Sequence, residues 1–212
     1  MSTLLVLGGS GQVGRQIVAQ ALADPAVGCV VAPTRQPLAA HARLLNPLVD
    51  YRALPADASW WAADAVLCAL GSTRRLAGSD AAFRQIDHDY VLIAAGLARH
   101  AGTPVFVYNS SVGADAAAGS LYLRVKGETE RDLDALGFAS VCHVRPSLLD
   151  GAARADARPG ESAALWLARR LAPLLPRRYR AVRTGAVAAA MLRAALQPSP
   201  GVRIIESERI AA

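Results

Sequence analysis

The sequence predicts an α/β fold in which one doubly wound parallel sheet is covered by helices on both faces. Short apolar runs alternate with longer stretches whose apolar residues recur at helical spacing, as in successive βαβ units. The alternation has no fixed period, which excludes a solenoid. With 212 residues, the chain has room for one domain with a sizeable core and too little for two ordinary ones.

Each element is predicted from its own pattern. The first strand runs into Gly8-Gly9, and the helix after it is stopped by Asp24-Pro25. Buried apolar runs predict strands at 3–7, 29–32, 48–52, 65–70, 105–108, 140–144 and 202–205. Amphipathic spacing predicts helices at 12–23, 80–100, 121–136, 162–175 and 184–196.

The sequence changes character after Asp150. Residues 151–160 are rich in Ala, Arg, Asp and Gly and predict an exposed loop. Residues 151–183 contain eight arginines against two acidic residues, which accounts for the whole net charge of +6. We expect this segment to form a small C-terminal cap on the substrate side of a single domain that spans residues 1–212.

The basic residues are strongly biased in type. Of 23 lysines and arginines, 22 are arginine, and Lys126 is the only lysine. The arginine-rich segment 151–183 could attract nucleic acid, but Trp166 and Tyr179 are its only aromatic residues and it matches no nucleic-acid-binding module. A solvated basic face is the simpler interpretation, so we expect no nucleic-acid partner.

The remaining composition excludes several classes of protein. Cys29, Cys68 and Cys142 are odd in number and widely separated, which favours buried thiols in a reducing compartment. The four histidines have no metal-ligand spacing, so we expect no metal site. No secretory signal and no apolar stretch of membrane-spanning length is present, so we expect a cytoplasmic protein without membrane contact.

A glycine-rich turn joins the first strand to the first helix. Its pattern is G-x-x-G-x-x-G, formed by Gly8, Gly11 and Gly14 around Ser10, Gln12 and Val13. Glycines let the backbone approach a pyrophosphate and let the helix pack closely on the strand, while the helix N-terminus attracts the negative charge. The context favours a dinucleotide site over a purely structural turn, and no Gly-Lys-Ser/Thr follows that would indicate a Walker-type site.

The end of the second strand bears on the choice between NAD and NADP. An acidic residue there would bind the 2′-hydroxyl of NAD, whereas an arginine suits the 2′-phosphate of NADP. The sequence has Thr34-Arg35 at this point and no carboxylate. We therefore expect NADP(H), with NADPH preferred over NADH; an ordinary solvated arginine at position 35 is the alternative.

Tyr122 and Lys126 are four residues apart in a predicted helix, so their side chains share a face. A tyrosine exchanges its proton near neutral pH only beside a positive charge, which Lys126 can supply. Ser110 and Ser111 end the preceding strand, where a hydroxyl could orient a substrate oxygen. An incidental pair on a surface helix is the alternative.

Taken together, these motifs resemble the atypical short-chain dehydrogenase/reductase family, and within it the Tat-interacting-protein-like oxidoreductase group. The resemblance rests on the glycine turn and on four further segments, at 68–74, 87–92, 110–115 and 121–128, with Arg145-Pro146-Ser147 after them. It covers residues 3–150 well and the remainder loosely. It implies a Rossmann-like fold and bound NADP(H).

The same resemblance implies roles for individual residues. Ser111, Tyr122 and Lys126 would form the catalytic set, with Ser110 as a possible substitute because only eleven positions separate Ser111 from Tyr122. The expected cofactor-binding residues are Gly8, Ser10, Gly11, Gln12, Val13, Gly14, Arg35, Ala69, Leu70, Gly71, Lys126, Pro146 and Ser147.

Two functions of different classes remain open at this stage. One is an NADP(H)-dependent oxidoreductase that acts on a small carbonyl or alcohol. The other is an NADP(H)-binding sensor that controls a protein partner without turnover. The presence of both Tyr122 and Lys126 favours chemistry, because a pure sensor needs neither. The substrate, the direction of the reaction and the oligomeric state do not follow from the sequence.

Overall fold

The computed structural model describes residues 1–150 and 176–210. Its strands are β1 (Ser2–Leu7), β2 (Val27–Val31), β3 (Leu44–Leu45), β4 (Ala65–Cys68), β5 (Val105–Asn109), β6 (Ser140–Arg145), β7 (Leu149–Asp150), β8 (Val182–Arg183) and β9 (Gly201–Glu206). In the described ranges, seven of them form one parallel sheet in the order β3-β2-β1-β4-β5-β6-β9. The chain leaves β1 toward one edge and returns to β4 on its other side, so the predicted doubly wound sheet is confirmed.

Helices cover both faces of this sheet. They are α1 (Gln12–Ala23), α2 (Arg74–Ala77), α3 (Asp80–Arg84), α4 (Tyr90–His100), α5 (Leu121–Asp134), α6 (Thr184–Leu196) and α7 (Ser207–Ile210). One core cluster joins the sheet to α1 and α6, and a second joins the opposite face to α4 and α5. Two packed layers of helix around a parallel sheet are the arrangement that a continuous apolar strand pattern requires.

The central strand β1 illustrates this burial. Leu4 and Val6 belong to the cluster under α1 and α6, whereas Leu5 and Leu7 belong to the cluster under α4 and α5. All four side chains are almost completely buried. Alternate side chains of a strand point to opposite faces, so burial on both faces produces the unbroken apolar run seen in the sequence.

The strand expected at 48–52 is wrong. The third strand is Leu44–Leu45, followed only by an isolated bridge between Thr34 and Leu48. Between them the side-chain amide of Asn46 donates hydrogen bonds to the carbonyl of Ala32 at 2.5 Å and to Thr34 Oγ1 at 2.8 Å. Backbone hydrogen bonds continue on either side, and the side chain supplies the one bond to Ala32 that Pro47, which has no N–H, cannot donate. A turn follows Asp50.

The helix expected at 80–100 is confirmed in extent, but it is interrupted. Residues Gln85–Asp89 form a π turn between α3 and α4. Two further elements are shorter than expected. The strand expected at 65–70 ends at Cys68, and the helix expected at 121–136 ends at Asp134, before Gly137, which has a φ of +73°. The helix expected at 162–175 lies outside the described residues, as does most of the expected cap.

Two remaining expectations concern location and thiols. Among the helices of the described residues, none combines the length and the apolar character needed to cross a bilayer. Cys29, Cys68 and Cys142 are free thiols, of which Cys68 and Cys142 are buried and Cys29 is half-buried rather than buried. Of the cap expected at 151–183, the structure describes residues 176–183, which end in β8, and β8 pairs with β7 just before the cap.

Candidate active site at the carboxyl edge of the sheet

The glycine turn after β1 is packed too tightly for any side chain. Gly8 has a φ of +79°, and a Cβ on it would lie 2.6 Å from the carbonyl oxygen of Ala69. A Cβ on Gly14 would lie 2.0 Å from the carbonyl oxygen of Gly8. Glycine is therefore required at both positions, at Gly8 by backbone conformation and contact and at Gly14 by contact alone.

The start of α1 offers uncapped amide groups. Gly11 is the N-cap residue, no side chain caps the helix, and the first turn contains no acidic residue. Ser10, Gly11 and Gln12 are exposed, whereas Val13 and Gly14 are buried in the contact with β1. The unpaired N–H groups and the positive end of the helix dipole provide a site for an anion such as a phosphate.

Arg35 lies at the outer end of this edge. It is exposed, and it follows Thr34, whose hydroxyl donates a hydrogen bond to the carbonyl of Gln36 at 2.6 Å. The buried phenol of Tyr51 donates to the carbonyl of Pro33 at 2.9 Å and also lies beside the backbone of Gly8. Tyr51 therefore connects the end of β2 to the glycine turn and fixes the stretch that presents Arg35.

The segment after β4 forms the middle of the edge. Ala69 and Leu70 are half-buried against the glycine turn, and Gly71 is exposed. A Cβ on Gly71 would lie 3.6 Å from Lys126 Nζ. The glycine turn, residues 69–71 and Lys126 therefore lie one after another in space along one edge of the sheet.

Lys126 is buried, with 4% of its surface exposed. Its Nζ donates hydrogen bonds to Tyr108 Oη at 3.1 Å and to the carbonyl of Asn109 at 3.4 Å. Asp87 Oδ1 lies 3.1 Å away as an ion-pair partner. Burial acts to lower the pKa of Lys126, but Tyr108 and Asp87, together with Tyr122, raise the pKa well above its usual value.

Tyr122 is close enough to Lys126 for their charges to interact, as the shared helix face predicts. Its side chain is 41% exposed, and its ring packs against Phe83 with centroids 5.9 Å apart. In the described residues the ammonium bonds to the phenol of Tyr108 and makes no hydrogen bond to Tyr122. The tyrosine thus lies near the ammonium, with its side chain partly exposed.

The two candidate serines and Pro146 lie at the ends of β5 and β6. Ser111 is nearly buried, and its hydroxyl makes only a long contact of 3.4 Å to the carbonyl of Val112. Ser110 is more buried, and its hydroxyl has no partner in the described part of the chain. The carbonyl of buried Pro146 accepts a hydrogen bond from Val112 at 3.0 Å, which joins the two strand ends.

Ser147 is less available than the sequence suggested. Its hydroxyl donates to the carbonyl of Arg180, and its N–H donates to Ser207 Oγ at 3.1 Å. Both groups therefore fasten the end of β6 to the segment before β8 and to α7. The position remains at the edge of the sheet, beside Pro146.

Three residues of this region were not predicted from the sequence: Asp87, Tyr108 and Tyr51. Asp87 had a usable signal, because Phe83, Asp87 and Val91 follow one another at intervals of four, which puts an acidic residue on the buried stripe of a helix. Tyr108 had none, since an aromatic residue in a strand is ordinarily core. Burial raises the pKa of the Tyr108 phenol, so it stays protonated.

The residues present fit a dinucleotide. The glycine turn leaves room for a phosphate against uncapped amides, and two buried polar atoms at the end of β5, Asn109 Oδ1 and Ser110 Oγ, have no partner among the described residues. A separate cavity of about 500 Å³ opens between α5, β6 and β9, and it is lined by none of the predicted site residues.

Comparison with known proteins gives relatives over most of the chain. Protein HTATIP2 of Rattus norvegicus is 34% identical over 98% of this chain and 87% of its own length. The mitochondrial protein fmp52 of Emericella nidulans is 36% identical over 79% of this chain and 75% of its own length. No family model matches the chain.

Solved structures share the fold at much lower identity. MoeE5, solved in complex with UDP-glucuronic acid and NAD, superposes with a TM-score of 0.73 over 96% of this chain and 75% of its own. The two sequences are 19% identical. At that level of identity the similarity shows the fold and no more.

Proposed function

This chain belongs to the atypical short-chain dehydrogenase/reductase family, and from that premise we propose that it is an NADP(H)-dependent oxidoreductase acting on a small carbonyl or alcohol substrate. The observation that carries the proposal is the continuity of the edge: the glycine turn packs on Ala69 and Leu70, and a Cβ on the next residue, Gly71, would lie 3.6 Å from Lys126 Nζ. A phosphate-binding turn and a Tyr-Lys pair are thereby on one edge of one sheet, as a dinucleotide enzyme requires.

Each predicted residue has a part in this proposal. Gly8, Gly11 and Gly14 would hold the pyrophosphate at the start of α1, and Lys126 would hold the ribose next to the nicotinamide. The bound cofactor would supply the hydride. Tyr122 would donate a proton to the carbonyl oxygen, or accept one from an alcohol in the other direction.

Ser111 would donate a hydrogen bond to the same substrate oxygen. Its hydroxyl has only a long contact with a carbonyl, so it can turn toward a ligand at little cost. Ser110 remains an alternative, since its buried hydroxyl lacks a partner among the described residues. Pro146 lies where the nicotinamide would be expected, while Ser147 would contribute its backbone rather than its hydroxyl.

The preference for NADP(H) over NAD(H) is the finer part of the proposal and rests on Arg35. This arginine is exposed after the second strand and can form a bidentate contact with a 2′-phosphate. Asp50 interacts with Arg35 but is itself hydrogen-bonded to Arg52, which lowers the pKa of Asp50. MoeE5 was solved with NAD, so cofactor preference has to be measured for this chain.

Titration of the purified protein with NADPH and with NADH, followed by nicotinamide fluorescence, tests cofactor binding. We expect NADPH to bind more tightly, and Arg35→Ala to lose that advantage while NADH affinity changes little. Arg193→Ala is the matched control, because Arg193 is an exposed arginine in the last turn of α6. Absence of affinity for either nucleotide would refute the proposal.

Turnover is tested with a panel of small aldehydes and ketones and NADPH. We expect consumption of NADPH, with Tyr122→Phe lowering kcat by about 10²- to 10⁴-fold because the proton donor is lost. NADPH affinity should be retained in that variant. Replacing Phe83, which packs on the Tyr122 ring, by Leu is the control for a purely structural effect.

A regulatory role is the second candidate. One observation favours it: Lys126 hydrogen-bonds Tyr108 rather than Tyr122 in the described residues, so the catalytic pair is not assembled through a direct bond. A sensor would bind NADPH, turn over no carbonyl, and be unaffected by Tyr122→Phe. The same titration and panel therefore separate the two functions.

Location and partners complete the proposal. We propose a small-molecule substrate and no nucleic-acid or membrane partner, in line with the absence of a bilayer-spanning helix in the described ranges. The name of the Emericella nidulans relative says mitochondrial, so the cytoplasmic location expected from the sequence stays a prediction. Imaging of a tagged full-length chain in its own cell tests it.

A further inference from the structure

The only lysine of the chain faces a carboxylate that is itself inside the protein. Asp87 is 0% exposed, and its Oδ1 lies 3.1 Å from Lys126 Nζ. Its Oδ2 accepts a hydrogen bond from the N–H of Ser72 at 2.7 Å. A buried carboxylate and a buried ammonium each carry a large desolvation penalty, so each stays charged only beside the other.

The other groups around the ammonium cannot take the place of this charge. Tyr108 and Cys68 approach Lys126 from β5 and β4, and burial raises the pKa of both, to about 12 for Cys68, so both are neutral at pH 7. Asn109 contributes a carbonyl dipole. Tyr122 approaches from the same helix and contributes a phenol. Within the described residues, Asp87 is thus the one full negative charge in contact with Lys126.

Asp87 is held in place by its backbone as well as by its side chain. Its carbonyl accepts hydrogen bonds from Thr129 Oγ1 on α5 at 3.1 Å and from Tyr108 Oη on β5 at 3.3 Å. The residue lies in the π turn Gln85–Asp89, a feature that frequently occurs at functional sites. The same two elements that present Lys126 therefore also fix the carboxylate beneath it.

We propose that Asp87 is a positioning residue for the reaction, whose carboxylate keeps the ammonium of Lys126 charged and fixed at the end of β5. The inference deepens the proposed function and rests on it, since the charge matters to catalysis through Tyr122. Without Asp87, the desolvation penalty on Lys126 is no longer offset, and a buried amine releases its proton at lower pH. Tyr122 would then lose the neighbouring charge that promotes proton exchange.

The uniqueness of Lys126 makes the test direct. Protein labelled with [¹³Cε,¹⁵Nζ]lysine gives a single lysine side-chain signal, so its titration needs no assignment. In cofactor-free wild-type protein, we expect the ammonium to stay charged to at least about pH 10.5, in keeping with its raised pKa. In Asp87→Asn, we expect the midpoint to fall by at least about one pH unit. An unchanged titration would overturn the proposal.

Two further variants isolate the charge of Asp87 from its shape. Asparagine keeps an oxygen to accept the Ser72 N–H, and Asp87→Glu restores the acid, so the glutamate variant should titrate closer to wild type. Asp132 is a carboxylate on the same helix as Lys126, but it pairs with His88 and Arg131. The control variant Asp132→Asn should therefore leave the titration of the lysine signal unchanged. A shift of equal size in Asp132→Asn would contradict a specific role for Asp87.

Wild-type protein alone supplies a second readout in case Asp87→Asn does not fold. The ammonium is buried, hydrogen-bonds two protein oxygens and lies 3.1 Å from Asp87 Oδ1, so its protons should exchange slowly and a ¹H–¹⁵N signal of Lys126 should be visible at pH 7. Its absence would mean that the ammonium is open to solvent, which the proposal does not permit. None of these titrations uses cofactor or substrate, so they show whether Asp87 keeps Lys126 charged and fixed even in a protein without turnover, whereas absence of turnover would refute the proposed function and the role of Asp87 in the reaction with it.

In active protein, a kinetic comparison completes the test. We expect Asp87→Asn to lower kcat and move the pH profile of turnover, with a smaller change in KM for NADPH. A variant with wild-type kcat and pH profile would refute a role in the reaction, whatever the lysine titration shows.

Discussion

At the scale of single residues, Gly14 and Gly96 show that the meaning of a glycine depends on its surroundings. A Cβ on Gly14 would lie 2.0 Å from a backbone oxygen, whereas a Cβ on Gly96, in α4, would meet nothing within 4 Å. Both glycines are helical, so intrinsic helix propensity favours alanine equally at both. Contact alone therefore separates them.

We accordingly predict opposite outcomes for the two alanine variants. Gly14→Ala should lower the free energy of unfolding by about 2–4 kcal/mol and weaken nucleotide binding, because the turn must open to admit the methyl group. Gly96→Ala should raise the free energy of unfolding by about 0.5–1 kcal/mol. Urea denaturation measures both, and equal effects would show that the turn is looser than described.

Cys68 makes stability depend on pH in the alkaline range. Burial raises the pKa of its thiol from 9.0 to about 12. A pKa that is raised on folding gives stability that is complete below pH 9 and is lost as pH rises toward 12. We predict that Cys68→Ala removes up to about 1.4 kcal/mol per pH unit from the slope of unfolding free energy against pH in this window.

The cavity left by the sulfur lowers the free energy of unfolding by the same amount at every pH. The slope of the unfolding free energy against pH, and not its absolute value, therefore tests the prediction. Urea denaturation of both proteins between pH 8 and pH 11 gives it. Parallel curves for the two proteins would show that the thiol is open to water in the folded state.

At this scale, residue types with a chemical signature were predictable and contact partners were not. Gly8, Gly14 and Lys126 stood out because few other residues could do their work at those positions. Tyr108 and Tyr51 did not, because their roles depend on which backbone atoms the fold brings within about 3 Å of a phenol. Asp87 lies between the two cases, since its place on an apolar stripe was visible in the sequence.

At the scale of elements, α5 is joined to β6 by a nearly buried ion pair. Arg145 donates to Glu130 through Nε at 3.0 Å and through a terminal nitrogen at 2.5 Å, and Glu130 is 5% exposed. The two-pronged geometry fits arginine and would not survive replacement by lysine. The pair thus fixes α5 one turn beyond Lys126, on the same face of the helix.

Removing one member of this pair should cost more than removing both. We predict that Arg145→Met lowers the free energy of unfolding by about 3–5 kcal/mol, because Glu130 is left charged and buried. The double variant Glu130→Met/Arg145→Met should recover part of that loss. Thermal or urea denaturation decides it, and a double variant no more stable than the single one would contradict the account.

Elements with strong periodicity were predictable to the residue, as α1 shows by spanning the expected 12–23. The third strand was not, because Pro47 interrupts the backbone ladder and the Asn46 side chain bonds Ala32 in its place, which no hydropathy pattern reveals. The π turn at Gln85–Asp89 was not predicted either, because the apolar spacing gives no sign of it. One extra residue in a turn hardly changes apolar spacing, yet it sets the direction of Asp87.

At the scale of the whole molecule, the crossing order of the sheet brings the ends of β1, β4, β5 and β6 to one edge, and the proposed site with them. Alternation of strands and helices predicts such an edge. In residues 1–150, the turns, helices and strands of the structure are consistent with such an edge. Ligand identity depends on side chains that the pattern does not constrain, and much of the expected substrate-side cap lies outside the described residues.

Nucleotide binding at this edge should stabilise the entire fold, because the glycine turn contacts β4 and packs α1 against β1. With NADPH at about 100 times its Kd, the gain is about 2.7 kcal/mol, or a rise in Tm of about 5–10 °C for a chain of this size. We predict a smaller rise with NADH at the same concentration and with NADPH in Arg35→Ala. Differential scanning fluorimetry measures all three, and equal rises would refute the assigned preference.

The burial of a solitary lysine in the middle of α5 has a practical consequence. A lysine-specific endopeptidase has one peptide bond to cut in this chain, that between Lys126 and Gly127, and the native helix hides it. The rate of that single scission therefore reports how often the helix bearing the proposed catalytic pair opens. Nucleotides and variants can be ranked by how far they protect this one bond.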